Sequence, residues 1–427
     1  MENSSRRQFL AAAATAASMS QVRGANDRIR LGIIGTGGRG SLLMDWANRT
    51  GGIEWVAVCD AWDQRRDKAA ATLTGGAKVD KYEDYRRLLE RKDIDGVIIA
   101  TWDNTHSQIG IDACHAGKDF YVEKPMTSQP AQGPPLVKAV RETRRVVQVG
   151  MQQRSMAHFI EAKKEIIDKG LLGKVHMVRT IWNSNPGYIT PVPPGMETKP
   201  AGLNWDACLG SLPKMAWDPK RYFNRFAYWD LCSGGQTGGL FVHQVDVVHW
   251  YLNLTKSQSA LAAGGIYQYD DGRDTPDNIN LILQYPERVL VTFEATLSTW
   301  FDRQVEKSPS ESEMWAKMMD IHKNMPRELF LKLMEMDIVF TGTGGRLSIF
   351  RQGYDFVPVT RDGRMTQLTG QPTAEHAHMA NWLDCMRSRK DPHAPVEAGH
   401  YSAMACHLGN IAYKQGGKAA WSSEWDV

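Results

Sequence analysis

The sequence predicts an α/β protein in two parts: a parallel, doubly wound sheet first, then an α+β domain with an open, mostly antiparallel sheet. From residue 28 to 150, short apolar runs alternate with helical periods, a pattern typical of parallel strands buried on both faces. Beyond residue 150 the strands are longer and turn-rich segments separate them, which favours antiparallel pairing. A chain of 427 residues also exceeds one average core of about 150 residues.

Five strands are predicted in the first part and at least three in the second. The first five are Ile29 to Ile34, Glu54 to Cys59, Gly96 to Ala100, Asp119 to Val122 and Val146 to Val149. The others are Val175 to Trp182, Ile279 to Tyr285 and Val289 to Glu294. We therefore expect domains over residues 26–150 and 151–427. A Met-rich, helix-period insertion at about 308–336 is a lid, a subunit contact or plain packing against the sheet.

Composition argues against a nucleic-acid-binding protein and leaves a globular enzyme as the default class. The chain has 51 basic and 48 acidic residues, and no basic stripe is interleaved with aromatic residues. It contains 14 Trp and 13 Tyr. Such side chains fill cores, and they also stack on sugar rings while their polar tips donate hydrogen bonds.

The first 25 residues predict an export signal. Arg6 and Arg7 precede Phe9 and Leu10 and then an Ala-rich run, which is the twin-arginine pattern. The run is too short for an ordinary membrane span, so we expect no membrane association after cleavage and a periplasmic or exported protein. This route carries folded cargo, so a tightly bound cofactor is compatible with it.

A glycine-rich turn follows the first strand and opens a helix, which predicts a Rossmann dinucleotide-binding domain. The first glycine permits a tight turn, the second lets the backbone approach a diphosphate, and the third allows close helix packing. The helix N-terminus adds N–H groups and a favourable dipole. The predicted cofactor-binding residues here are Gly35, Thr36, Gly37, Gly38, Arg39 and Gly40.

The residue at the end of the second strand favours NAD over NADP. A carboxylate at Asp60 can accept hydrogen bonds from the adenosine ribose hydroxyls and would repel a 2′-phosphate. Arg65 and Arg66 lie just downstream and could instead receive that phosphate, so NADP stays the less favoured alternative.

After the fifth strand, the residues Glu123, Lys124 and Pro125 resemble the signature of the glucose-fructose oxidoreductase and inositol dehydrogenase family (Gfo/Idh/MocA). The resemblance extends over Thr101 to His106, Asn204 to Asp206 and Ser233 to Trp250. It implies an oxidoreductase that acts on a sugar or polyol. It also implies further cofactor contacts at Thr101, Trp102, Asn104, His106, Glu123 and Lys124.

The same resemblance implies that Lys124 is catalytic, because the family's lysine reaches both the nicotinamide ribose and the substrate hydroxyl. A cation beside that hydroxyl stabilises a developing alkoxide and, with a lowered pKa, relays its proton. Family members also carry a carboxylate four residues before a helical His. Here His243 fits the His, but Gly239 stands where the carboxylate is expected. We therefore expect His243 to act as the base alone, with Asp246 orienting its imidazole or touching substrate.

No metal is expected. His243, Asp246 and His249 follow at i, i+3 and i+6, and this spacing drifts around a helix rather than converging on one ion. The resemblance implies instead that the second sheet forms the substrate wall and often a homo-oligomer interface, and that a helix over 375–390, opened by His378, returns to the first domain. The expected substrate contacts are Arg154, Asn183, Trp205, Tyr228, Trp229 and His243.

Three functions remain open from the sequence. The first is a dehydrogenase that moves hydride between NAD and a sugar or polyol. The second is a hydrolase or lyase that oxidises the sugar ring transiently, with no net redox change. The third is a sugar sensor without catalysis. Little free dinucleotide is present in the periplasm. Export therefore favours the second hypothesis, or an oxidoreductase in which two sugars recycle the bound cofactor.

Overall fold

The structure is a computed structural model that describes residues 28–73, 79–183, 192–297, 337–351, 353–359 and 376–427. The predicted signal at residues 1–25 and the predicted insertion at 308–336 lie outside the described residues. Within these ranges, no helix is both long and apolar enough to cross a bilayer.

The N-terminal sheet has six parallel strands, and its order is β3-β2-β1-β4-β5-β6. This arrangement confirms the predicted Rossmann architecture, in which ligands bind at the carboxyl edge where the strand order reverses. The strands are β1 (Ile29–Ile34), β2 (Ile53–Cys59), β3 (Asp80–Tyr82), β4 (Gly96–Ile99), β5 (Asp119–Val122) and β6 (Val147–Val149). The helices between them are α1 (Gly38–Thr50), α2 (Asp63–Leu73), α3 (Tyr85–Leu89), α4 (Asp103–His115) and α5 (Gly133–Thr143).

The second sheet has eight strands in the order β13-β12-β11-β7-β10-β9-β8-β14. Its neighbours are antiparallel except for the parallel pair β7 and β10, so the predicted open, mostly antiparallel sheet is also confirmed. The strands are β7 (Val175–Trp182), β8 (Ser259–Gly265), β9 (Asn278–Gln284), β10 (Leu290–Thr296), β11 (Ile338–Gly342), β12 (Gly345–Phe350), β13 (Gly353–Pro358) and β14 (Ala419–Ala420).

The remaining helices join the two sheets. They are α6 (Ala157–Ala162), α7 (Trp205–Leu209), α8 (Pro219–Phe223), α9 (Val242–Leu252), α10 (Ala377–Ser388) and α11 (Val396–Gln415). The long helix α11 packs on α9, on β8 and on α5. Helix α10 packs on α1, and the fully buried indole of Trp382 lies in the core of the first domain. One apolar cluster therefore runs through both domains.

Candidate functional site

The glycine turn after β1 has space only for glycine at its critical positions. Gly35 has φ +92°, and a Cβ on it would lie 2.6 Å from the carbonyl of Ala100. A Cβ on Gly40 would overlap the carbonyl oxygen of Gly35. Among the described residues, no side chain caps the N-terminus of α1 at Gly37. These features fit a diphosphate lying against backbone N–H groups.

Asp60 is buried at the end of β2 and is held in one orientation. Its Oδ2 accepts from the Thr36 backbone N–H at 2.7 Å and from the Thr36 hydroxyl at 3.1 Å. Its Oδ1 accepts from the Trp62 backbone N–H at 3.0 Å. The predicted ribose-binding carboxylate therefore also ties the glycine turn to the loop after β2.

The loop after β4 holds the turn that carries Lys124. The His106 ring contacts the carbonyl oxygen of Pro125 through Nδ1 at 2.8 Å and that of Thr101 through Nε2 at 3.1 Å. The Thr105 hydroxyl donates to the Thr101 hydroxyl at 2.7 Å. His106 thus links the loop after β4 to the turn that carries Lys124.

Glu123 fixes the cation network at this edge of the sheet. Its Oε1 accepts from Arg39 Nε at 2.7 Å, and its Oε2 accepts from the Lys124 backbone N–H at 3.1 Å. Burial alone would raise the pKa of Glu123, but the charges of Arg39 and Lys124 lower the pKa below its usual range. Glu123 is therefore ionised and positions the backbone of Lys124.

Lys124 reaches across the domain boundary. Its Nζ donates to the carbonyl oxygen of Gly239 at 2.7 Å. Burial lowers the pKa of Lys124 to about 8, although the nearby Glu123 and Asp103 carboxylates oppose the shift. An amine with a pKa near neutrality can both give and take a proton.

The segment that presents Gly239 is anchored from both domains. It forms a π-helical turn, Thr237–Phe241, that leads directly into α9. The side chain of Asn410 on α11 donates to the Ser233 carbonyl oxygen at 2.7 Å, and the Ser233 hydroxyl donates to Asp103 at 3.1 Å. The Gly239 carbonyl is therefore a fixed acceptor for Lys124.

His243, in the first turn of α9, is buried with 6% of its surface exposed. Its ring stacks on Trp182 at 6.2 Å between ring centroids. Burial, with the charges of Lys124 and Arg351, holds the pKa of His243 well below its usual range. Within the described chain, Nδ1 of His243 has no hydrogen-bond partner. The imidazole is therefore neutral, and it is a weaker base than Lys124.

The carboxylate missing at Gly239 can be restored as a test. Gly239 has no positive φ, so Gly239→Asp should be tolerated by the backbone and bring a carboxylate close to Lys124. A nearby negative charge favours the ammonium form, so we expect the pKa of Lys124 to rise above about 8. The measurement is the pH dependence of Lys124 acylation, read by mass spectrometry. Gly239→Asn is the uncharged control, and an equal shift in both variants would contradict the electrostatic explanation.

Two residues near His243 were missed in the sequence. Trp182 ends β7, and the Arg351 guanidinium lies 5.6 Å from the centroid of its ring. Arg351 is close enough for its charge to lower the pKa of both Lys124 and His243. Trp182 could have been noticed as the last residue of a predicted strand, but no sequence signal marks Arg351, which follows the unpredicted strand β12.

The expectation that Asp246 orients the imidazole of His243 is wrong. Its carboxylate accepts from Arg154 Nε at 2.8 and 3.0 Å and from the Ser402 hydroxyl at 3.0 Å. A fully buried carboxylate needs a counter-charge, and Arg154 supplies it. Arg154, expected to bind substrate, is therefore engaged in a structural ion pair that ties α9 to the turn Gln152–Ser155, which follows β6.

The three residues considered for a metal site also have separate partners. His249 Nε2 contacts the Tyr285 hydroxyl at 2.7 Å, whereas Asp246 pairs with Arg154 and His243 stacks on Trp182. In the described ranges, no group of three or more His, Cys, Asp or Glu side chains could hold a metal ion.

Three aromatic residues expected to contact substrate have structural partners elsewhere. The Trp205 indole N–H donates to the Met215 carbonyl at 3.0 Å, and that of Trp229 donates to the Asp274 carbonyl at 2.7 Å. Trp229 also packs beside Tyr413, and the Tyr228 ring lies under the guanidinium of Arg221. The two indole N–H groups and the Tyr228 ring thus have partners within the protein, and the structure does not support the expected substrate contacts of these residues.

The remaining residues predicted to lie at the site are found in different places. Asn183 follows Trp182 directly and is the last described residue before residue 192. The ring of His378 is buried between the Ser155 hydroxyl at 2.7 Å and the Val149 carbonyl at 2.9 Å. Trp102 and Asn104 face a segment of the second domain instead.

Comparison with known proteins identifies the family of both domains. The family model "Oxidoreductase family, NAD-binding Rossmann fold" (Gfo/Idh/MocA) matches residues 29–151. The model "GFO/IDH/MocA C-terminal domain" matches residues 214–311. Inositol 2-dehydrogenase of Salmonella typhimurium is 33% identical over 168 residues, which are 38% of this chain and 49% of that protein. The chain thus spans about half the length of the curated relatives that it matches.

Solved structures share the fold at low identity. The WlbA dehydrogenase from Bordetella pertussis, in complex with NADH and UDP-GlcNAcA, has a TM-score of 0.64 and 18% identity, covering 92% of this chain and 99% of its own. The aldose-aldose oxidoreductase from Caulobacter crescentus, complexed with glycerol, has a TM-score of 0.66 and 16% identity, covering 92% and 100%. These likenesses show the fold alone. The two family models, which together match more than half of the chain, show that it belongs to the Gfo/Idh/MocA family of oxidoreductases.

Proposed function

We propose that this protein transfers hydride between a tightly bound nicotinamide cofactor, NAD rather than NADP, and a hydroxyl carbon of a sugar or polyol. The observation that carries the proposal is the Lys124 amine, held by the Gly239 carbonyl at 2.7 Å with its pKa lowered to about 8 by burial. It stands beside a glycine turn that fits a dinucleotide diphosphate. The inositol dehydrogenase relatives support a polyol or sugar as substrate.

The bound cofactor supplies the acceptor or donor of hydride. The chain itself manages the proton: neutral Lys124 takes it from the reacting hydroxyl at Nζ, and the ammonium returns it in the reverse direction. The neutral imidazole of His243 offers Nδ1 to a substrate hydroxyl. The ring of Trp182 stacks on this imidazole and helps to hold its orientation.

A redox-neutral glycosidase or lyase is the second candidate. Gly239 in place of the family's carboxylate favours it, because the usual pair of His and Asp is incomplete. Internal recycling between two sugars is a variant of the first candidate, and the name of the aldose-aldose oxidoreductase supports it.

The deciding experiment incubates the purified protein with sugars and with glycosides, without added NAD. Reduced nicotinamide formed in proportion to bound cofactor, together with oxidised sugar, supports the hydride transfer that we propose. Continuous release of aglycone without reduced nicotinamide would support the glycosidase instead. Neither signal over a broad sugar panel would contradict both.

We also propose export through the twin-arginine route, which rests on Arg6, Arg7 and the apolar run after them. The route matters for function because folded cargo can bring its cofactor along. Changing both residues to Lys should leave the protein in the cytoplasm, which fractionation of the native host would reveal. Unchanged export of that variant would refute the proposal.

A homo-oligomer through the second sheet is the last part of the proposal. Leu261 and Ile282 pair across β8 and β9, and both are exposed, as is Met177 on β7. They lie on the face opposite to the buried Leu281 and Leu283 of β9. An exposed apolar face of this kind suits a second copy of the chain, and light scattering would report the mass.

A further inference from the structure

A segment of the second domain, residues 199–231, crosses the carboxyl edge of the first sheet. We call it the strap. It is tied first to the loop after β2, where Leu203 forms a bridge with Trp62. The Asp63 backbone N–H donates to the Gly202 carbonyl at 3.1 Å, and the Asn204 N–H donates to the Ala61 carbonyl at 2.8 Å. The backbone of the strap is therefore hydrogen-bonded to the backbone of the loop after β2 in the first domain.

Two further loops, after β3 and after β4, also bind the strap. The Asn204 side chain donates to Glu83, after β3, at 2.6 Å. The Asn104 side chain, at the start of α4, donates to the Leu209 carbonyl at 2.8 Å. The strap is thus fixed to the loops that follow β2, β3 and β4.

Aromatic rings fill the space between the strap and the sheet edge. Trp62 packs against Tyr222 of the strap at 6.1 Å between centroids. Trp102 packs against Trp205 at 5.9 Å and against Tyr222 at 5.4 Å. These contacts bury apolar surface that opening of the strap would expose to water.

The strap lies beside the place where the adenosine half of a dinucleotide binds in this fold. In this strand order the ribose binds at the end of β2, which is the position of Asp60. The Arg65 guanidinium lies over Trp62 and Tyr222, at 5.4 and 5.3 Å from the ring centroids. Its Nη1 comes within 3.2 Å of the place that a Cβ on Gly37 would occupy. One cation thus connects the strap to the diphosphate turn.

A buried donor without a partner also points to a ligand at this place. Trp62 has 7% of its surface exposed, and within the described chain its indole N–H has no hydrogen-bond partner. A buried, unsatisfied N–H is costly. An oxygen-rich ligand such as a ribose or a diphosphate would satisfy it.

We propose that the strap is a clamp over the adenosine half of the cofactor and that it keeps the dinucleotide bound between turnovers. Trp62 donates to the cofactor, Arg65 couples the strap to the glycine turn, and Asn204 locks the strap to the sheet edge. The inference rests on the proposed function only in taking a nicotinamide dinucleotide as the ligand. Release of the cofactor then requires the strap to open, which breaks bonds to three loops.

The test is a chase of labelled NAD from the full-length protein, with release followed by rapid filtration. Wild type should release the label slowly. Trp62→Phe keeps the ring but removes the donor. Asn204→Ser is too short to reach Glu83 but keeps a side-chain oxygen to cap α7, where Asn204 accepts from the Ala207 N–H at 3.0 Å. Each change should speed release by about three- to tenfold, the loss expected for one hydrogen bond. Trp421→Phe is the matched control, because the N–H of Trp421 donates to Asp426, outside the strap, and its release rate should equal that of wild type.

Thermal unfolding of each variant separates a loosened strap from a damaged fold, since Trp62→Phe and the cap-preserving Asn204→Ser should unfold close to wild type. Equal release from wild type and both folded variants would overturn the clamp. The proposed function is judged separately: label held without reduction by any sugar refutes hydride transfer and supports the clamp. Rapid exchange of the label together with sugar-dependent reduction would refute the clamp and support hydride transfer.

Discussion

Lys124→Ala is expected to lower the rate of sugar oxidation by roughly 10²-fold or more, the loss typical of a positioned acid or base. The reason is that Lys124 has the pKa nearest to neutrality among the groups around the Gly239 carbonyl, about 8, whereas His243 titrates well below its usual range. The measurement is the rate of reduction of bound nicotinamide after mixing with sugar.

The pH profile distinguishes proton transfer from simple positioning. Because the neutral amine accepts the proton, oxidation by wild type should rise as the pH increases through about 8, and reduction should fall over the same range. Lys124→Ala should lose this pH dependence and still retain bound NAD, since we expect the glycine turn and Asp60, which the change leaves intact, to bind the phosphates and ribose. Lys138→Ala, which removes an exposed lysine paired with Glu142, is the control. If the oxidation rate of Lys124→Ala still rose through about pH 8 as in wild type, another group would have to accept the proton.

The fold was largely predictable because its strands carry their own signals. The runs that became β1, β2, β4 and β5 are buried on both faces, so their apolar continuity shows in the sequence. Strand β3 has three residues and partly exposed side chains, and β8 is rich in Ala and Gly. Such strands are stabilised mainly by pairing with a neighbouring strand, and the local sequence does not indicate that pairing.

The site was predictable where chemistry and backbone geometry coincide, as at Gly35, Asp60 and Lys124. It was not predictable where a residue's partner comes from a distant segment. Asp246 was expected beside His243 from helical spacing, but Arg154, 92 positions earlier in the chain, takes its carboxylate. Likewise, Trp205 was expected to touch sugar, yet it packs against Trp102 in the loop after β4. Periodicity predicts which side chains share one face of a helix. Which residues contact that face depends on tertiary packing.

His243→Ala is expected to lower kcat/KM for sugar oxidation by an amount similar to that of Lys124→Ala, roughly 10²-fold, for a different reason. The imidazole is neutral and stacked on Trp182, so we expect it to orient the substrate hydroxyl toward Lys124 and not to take the final proton. The pH dependence near pH 8 should therefore persist in His243→Ala. His243→Gln, which keeps a hydrogen-bonding group, should recover part of the loss.

The double variant tests whether the two residues act as one unit. If His243 serves only to present the hydroxyl to Lys124, His243→Ala should cost little in the Lys124→Ala background, because groups that act together are not additive. His158→Ala is a useful control for removing a buried histidine, since that ring contacts the Phe350 carbonyl at 3.1 Å on the sheet side of the domain. Independent losses that multiply in the double variant, or a pH dependence that disappears in His243→Ala, would show that the imidazole carries the proton itself.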